Sequence, residues 1–199
     1  MTATAVDHHH DHHHDTDSID VFGFWIYIMT DCVLFATLFA AFAVLHDNSA
    51  AGPSLKQLFS LPYVLGETMF LLASSFTYGL AMLGVYKNSR ARAVFWLMVT
   101  FLLGLSFVVM EVREFIHLYA DGNSWHVSAA LSAFFTLVGT HGTHVSIGLI
   151  WMAFMMFQLL KYGTSQPINR RLTYLGLFWH FLDIVWIFVF TIVYLMSSI

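Results

Sequence analysis

Ten ionisable residues stand inside otherwise apolar stretches of the chain: Asp31, Glu67, Glu111, Arg113, Glu114, His117, His141, His144, His180 and Asp183. His141 and His144 are spaced i, i+3, as are His180 and Asp183, so on a helix each pair shares a face. Imidazoles and carboxyls grouped in this way can hold a metal or haem, move protons, or bind helices to one another. A two-haem membrane cytochrome needs four deep histidines in facing pairs. Of the twelve histidines, six lie in the first twenty residues, and His46, His117 and His126 fall at helix ends or in loops. Three remain. A single haem held by His180 with His141 or His144, or a zinc ion held by those three and Asp183, stays open on residue type, although nothing marks an open substrate position. Ser74, Ser75 and Ser106 lack the glycine-flanked setting and partnered histidine of an intramembrane nucleophile.

The surroundings of these residues decide what they must do. The chain is 58% hydrophobic and only 10% charged, against about 25% charged in a soluble domain. Since cores are apolar in any case, the missing charge is missing from the surface, and the chain needs lipid around it. Eight basic residues against twelve acidic ones, with no basic stripe, exclude a nucleic-acid binder. One cysteine excludes a disulfide scaffold. Apolar runs at about 21–45, 62–86, 93–119, 129–160 and 172–196 each exceed the roughly 20 residues that cross a bilayer as helix. The ten-residue alternation of a membrane β-barrel is absent. The predicted fold is an all-α membrane protein, a single five-helix transmembrane domain over residues 21–199.

Turn-forming residues at Asp47–Ser49, Gly52–Pro53, Lys87–Arg90, Asp121–Ser124 and Gly163–Pro167 separate the runs. Six of the eight basic residues occupy the second and fourth connections: Lys87, Arg90, Arg92, Lys161, Arg170 and Arg171. Positive charge stays in the cytoplasm, so the N-terminus is expected there and the C-terminus in the periplasm. Residues 1–20, with six histidines around Asp11, read as a disordered, solvated tail that could bind divalent metal adventitiously; no chemistry is assigned to it.

A charge at mid-bilayer costs about 2.5–3.5 kcal/mol on insertion scales, so such residues face other helices. Depth counted along the runs places Asp31, His141, His144, His180 and Asp183 in one mid-membrane layer on helices one, four and five. Glu67, Glu111, Arg113, Glu114 and His117 form a second cluster near the outer side, with Arg113 as counter-ion for one of the glutamates. Two readings of both sets stay open: polar pairs that lock helices together, and proton handling or partner contact. Small residues at Gly139, Gly142, Ser146 and Gly148, and at Ala36 and Ala40, predict close helix packing. The many Phe and Trp residues read as lipid-facing and interfacial.

Local strings then become recognisable. The stretch His141-Gly142-Thr143-His144-Val145-Ser146-Ile147-Gly148 resembles the HG-x-HV-x-x-G signature of subunit III of haem–copper respiratory oxidases. Trp179-His180-Phe181-Leu182-Asp183-Ile184-Val185-Trp186 resembles that family's WHF-x-D-x-VW signature. Thr30-Asp31 with Leu34-Phe35 occupies the place of its intramembrane acid, and Glu114-Phe115 matches a glutamate–aromatic pair. The order agrees from residue 21 to 196. Longer family members have seven helices and a glutamate where Asp31 stands. The five-helix form with a His-rich tail is similar to the bo-type ubiquinol oxidases of Gram-negative bacteria.

The resemblance implies an accessory subunit without catalytic residues, metal or haem of its own. It belongs to an inner-membrane, proton-pumping oxidase that passes electrons from quinol to dioxygen. Haems and copper are implied in subunit I, with subunits II and IV as further partners, a phospholipid between the helices, and a role in stabilising subunit I and supporting proton uptake. The alternatives are subunit III of a cytochrome c oxidase, or a small membrane cytochrome with its own haem. If Asp183 locks helices, Asp183→Leu is expected to impair assembly with subunit I. Co-purification measures this, and a variant that assembles normally while losing only proton uptake would reverse the weighting.

Overall fold

The computed structural model describes residues 12–45, 61–120, 122 and 128–195. The histidines at 8–10, the loops expected at 47–49 and 52–53, His46 and His126 lie outside the described residues. Five helices follow one another: α1 (His12–Leu45), α2 (Leu61–Tyr86), α3 (Arg90–Ala120), α4 (Ala129–Tyr162) and α5 (Gln166–Val189), the last running on as a π-helical stretch over Phe190–Leu195. All five are long and apolar enough to cross a membrane, and no strand occurs among the described residues.

Helix ends follow local chemistry. Ser128 caps α4, its side chain accepting from the Leu131 N–H at 3.1 Å. Gly163 closes α4 at φ 72°, a left-handed conformation open to glycine, with its N–H on the Leu159 carbonyl. Two boundaries differ from the sequence expectation. Helix α5 begins at Gln166 rather than near 172, because Pro167 sits in its first turn, where the missing N–H would have no intrahelical acceptor. Helix α1 begins at His12, inside the stretch expected as tail.

Helices α2, α3, α4 and α5 form a ring, each packed on the next and α5 closing back on α2, while α1 lies outside it against α4 and, less extensively, α5. The chain neighbours α1 and α2 are therefore not the main packing partners that turn-rich connections would suggest. Ala36 and Ala40 on α1 are exposed rather than packed.

Inside the ring, Tyr78, Phe107, Phe134, Phe178, Trp179 and Trp186 are all nearly fully buried. Others, among them Phe22, Trp25, Phe70, Phe76, Phe95 and Phe154, face outward as expected, so the aromatics serve both the surface and the interior. The ring closes tightly at Gly104 of α3, where an added Cβ would stand 2.9 Å from the Trp179 ring and 3.0 Å from Leu149. Overpacking of this kind costs roughly 1–3 kcal/mol. Gly104→Ala is therefore expected to lower the thermal stability of the purified protein, whereas Gly79→Ala, which meets nothing within 4 Å, should not; differential scanning of the two checks this.

Candidate functional site: polar contacts between the helices

The hydrocarbon core offers no water, so each polar group there must find its partner in protein. Along the α2–α5 seam the partners form a ladder. Trp186 Nε1 donates to Thr68 Oγ1 at 3.1 Å, and Trp179 Nε1 donates to Ser74 Oγ at 3.1 Å. The Tyr78 hydroxyl donates to the Leu172 carbonyl at 2.6 Å. On α5 the rungs stand at 172, 179 and 186, one heptad apart, and the α2 partners descend from 78 to 68 because the helices are antiparallel. A seven-residue repeat keeps one seam facing its neighbour along a left-handed crossing.

His180 and Asp183 belong to this seam. His180 Nδ1 lies 3.1 Å from Ser75 Oγ, and its ring is edge-on to Tyr78 at 6.0 Å. Asp183 is buried, within electrostatic reach of Ser75, and its Oδ1 has no hydrogen-bond partner among the described residues. His180 itself is exposed on the outer surface of the bundle.

Asp31, His141 and His144 sit elsewhere. His144 Nδ1 lies 2.8 Å from the Thr140 carbonyl. An oxygen there can only accept, so that nitrogen carries the proton. The other nitrogen faces Asp31 Oδ1 at 3.8 Å, an ion-pair separation too long for a hydrogen bond. A neutral imidazole turns a lone pair to Asp31 in this position, so the contact attracts only when one proton is shared between the two groups. The pair joins α1 to α4. His141 is completely buried. It stacks on Trp186 at 5.1 Å and stands edge-on to Phe107 at 6.0 Å, and neither ring nitrogen has a partner among the described residues.

The five residues expected in one layer thus divide: Asp31 and His144 meet between α1 and α4, His180 and Asp183 lie on the α2–α5 seam, and His141 is buried against Trp186 and Phe107. The three deep histidines each face different neighbours, and no group of three metal-ligating side chains forms among the described residues. The described residues therefore form no three-ligand zinc site, and His180 faces α2 while His141 and His144 face other helices.

The outer cluster also rearranges. Glu67 and Glu111 are buried, and Glu67 lies within electrostatic reach of both Glu111 and Glu114. Glu114 accepts from the Tyr194 hydroxyl at 3.0 Å, a contact made where the π-helical end of α5 widens the turn. The Glu111 carboxyl rests on Gly142 of α4: an added Cβ there would be 2.7 Å from the carboxyl carbon and nearer still to both oxygens. Arg113 and His117 point outward, and Arg113 makes no ion pair among the described residues. The expected counter-ion role for Arg113 is thereby corrected. Arg113 follows Glu111 by two residues, a step of about 200° that turns it to the other side of α3.

Among the packing glycines, Gly148 approaches Trp179 at 3.1 Å and Phe178 at 3.3 Å, while Gly139 has only an ordinary 3.8 Å contact with Phe115. Ser146 bonds its hydroxyl to the Gly142 carbonyl at 2.8 Å.

Sequence reasoning missed Thr68, Ser74, Ser75, Tyr78 and Tyr194 as partners. Its available signal was the spacing of Trp179 and Trp186, two indole donors seven residues apart in a span where each needs an acceptor.

The comparisons with known proteins agree with one another. The family model described as Cytochrome c oxidase subunit III matches residues 3–198. A Pseudomonas aeruginosa protein named cytochrome bo(3) ubiquinol oxidase subunit 3 is 57% identical over 197 residues, 99% of this chain and 94% of that protein. The quinol oxidase subunit 3 of Bacillus subtilis is 43% identical over 183 residues, covering 92% of this chain and 90% of the relative.

Removing an acceptor strands a buried donor at a cost of about 1–3 kcal/mol, whereas removing both partners is far milder. The Ser74→Ala/Trp179→Phe pair is therefore expected to destabilise the protein by less than the sum of the two single losses. A double-mutant cycle on thermal unfolding measures the difference, and additive losses would mean that the rung carries no energy.

Proposed function

The chain belongs to the cytochrome c oxidase subunit III family, and from that membership we infer that it is the accessory third subunit of a terminal quinol oxidase. The observation that carries the quinol assignment is the identity to chains named quinol oxidase subunit 3, over nine-tenths or more of both lengths in the two relatives described. This favours the quinol reading over subunit III of a cytochrome c oxidase. The rival reading of a membrane cytochrome with its own haem has no support in the way the histidines are disposed. In the proposed complex the haems and copper sit in subunit I, with subunits II and IV as further neighbours. This chain stabilises subunit I and supports proton uptake in a bacterial inner membrane.

The polar layer serves that role by holding the chain in one shape. Asp31–His144 fastens α1 to the ring, and Asp183 and His180 sit on the seam that closes it; any part in tuning protonation is secondary. A cavity of about 270 Å³ between α1 and α5, walled by Phe35, Phe39, Phe181 and Phe188 with Cys32 and Ile184, suits a phospholipid acyl chain. The hydroxyl of Thr164 bonds to Asn88 Oδ1, so the two basic connections meet at one end of the bundle. This supports placing that end, with the N-terminus, in the cytoplasm.

The oxidase purified from cells lacking this chain tests the reading. It is expected to retain its full haem and copper content and to lose activity faster over successive turnovers. Loss of one haem together with the chain would overturn the proposal.

A further inference from the structure

Where α2 and α3 meet, at the end of the bundle bearing the basic connections, a shallow cavity of about 170 Å³ is lined by Leu80, Leu83, Gly84, Lys87, Arg92 and Trp96. Its two ends differ in chemistry. Lys87 follows the last residue of α2 and Arg92 lies in the first turn of α3, so both stand at the membrane end. Leu80 and Trp96 lie one to two helical turns further into the span. Leu83 is 53% exposed, so the apolar part of the cavity opens on the outer surface of two membrane helices.

The charged end is prepared for an anion in several independent ways. No acidic residue occurs between Glu67 and Glu111, and neither Lys87 nor Arg92 forms an ion pair among the described residues. Arg92 Nε donates to Ser89 Oγ at 3.0 Å, which holds the guanidinium and leaves its terminal nitrogens free of that bond. The N-terminus of α3 contributes first-turn N–H groups without intrahelical acceptors and the positive end of a 31-residue helix. The opposing carbonyls at the end of α2 are occupied: Leu83, Gly84 and Val85 accept from Lys87, Ser89 and Asn88 at 2.9–3.1 Å. An anion there thus meets donors and few free acceptors. The floor is fixed by backbone contact, since an added Cβ on Gly84 would be 2.8 Å from the Ala93 nitrogen.

We propose that this cavity binds an anionic phospholipid. Lys87, Arg92 and the start of α3 receive the phosphodiester, and an acyl chain lies along Leu80, Leu83 and Trp96. A lipid occupies both ends of the cavity, whereas a soluble phosphate satisfies only the cations and leaves the leucines and the indole uncovered. The site is distinct from the α1–α5 cavity and does not depend on the oxidase assignment.

The test is native mass spectrometry of the purified complex, exchanged into detergent micelles containing dioleoyl phosphatidylglycerol or dioleoyl phosphatidylcholine. The wild-type chain is expected to retain one phosphatidylglycerol that the Lys87→Gln/Arg92→Gln variant binds about thirtyfold more weakly, the effect of two charges close to a membrane surface. Phosphatidylcholine should not be retained there. The control variant Lys161→Gln/Arg171→Gln removes the same charge from the neighbouring connection and should keep the lipid. Assembly of both variants is checked by co-purification of the other subunits, and because all four side chains are exposed both should assemble. Equal retention by the Lys87/Arg92 variant, equal loss in the control, or displacement of the lipid by excess inorganic phosphate would each overturn the proposal.

Discussion

The absence of water in a bilayer turns every buried donor into a demand on the protein. That demand is met most fully where α5 crosses α2. Two indoles and a tyrosine bond across the seam, each about two turns from the next, and all of these rings are buried. Individual polar pairs in membrane helices contribute only about 0.6–2 kcal/mol, so the ladder acts less through summed strength than through register. A slip of one residue would strand three donors together. Because α2 and α5 are the first and last helices of the ring, fixing their register fixes its closure. The close approaches of Gly104 and Gly148 to Trp179 then follow.

The ionisable groups come after this frame. His141 lies against Trp186, which is itself positioned by Thr68, so a residue of the family signature is set by a bond two helices away. Glu111 rests on α4 because Gly142 has no side chain to push it off. The Asp31–His144 contact joins the one helix that the ring does not contain. The imidazoles that residue type alone could assign to a metal lie against separate neighbours on separate helices.

Much of the fold is legible in the sequence. Apolar length gives the five spans, and most of their ends fall within a few residues of the described helices. The start of α5 was masked by polar residues around Pro167 that belong to the first turn. The direction in which each residue of the candidate site faces was not legible. Counting along a span places Asp31, His144 and Asp183 at one level, but the interface each faces depends on which helices become neighbours, and turn-rich connections do not reveal that α1 skips α2. Arg113 shows the same limit: proximity to Glu111 and Glu114 in sequence suggested an ion pair, while the turn of the helix carries it to the other side. The two long signatures supplied what periodicity could not, because they bring the family's assignment with them.

The peripheral position of α1 bears on how such a subunit can vary. The four helices that interlock are consecutive, and α1 packs on them from outside, chiefly against α4. A change of length at that end falls on the perimeter and leaves the indole and tyrosine rungs between α2 and α5 as they are. Such a subunit can therefore keep one kernel, with any difference in size confined to accretion on a single flank.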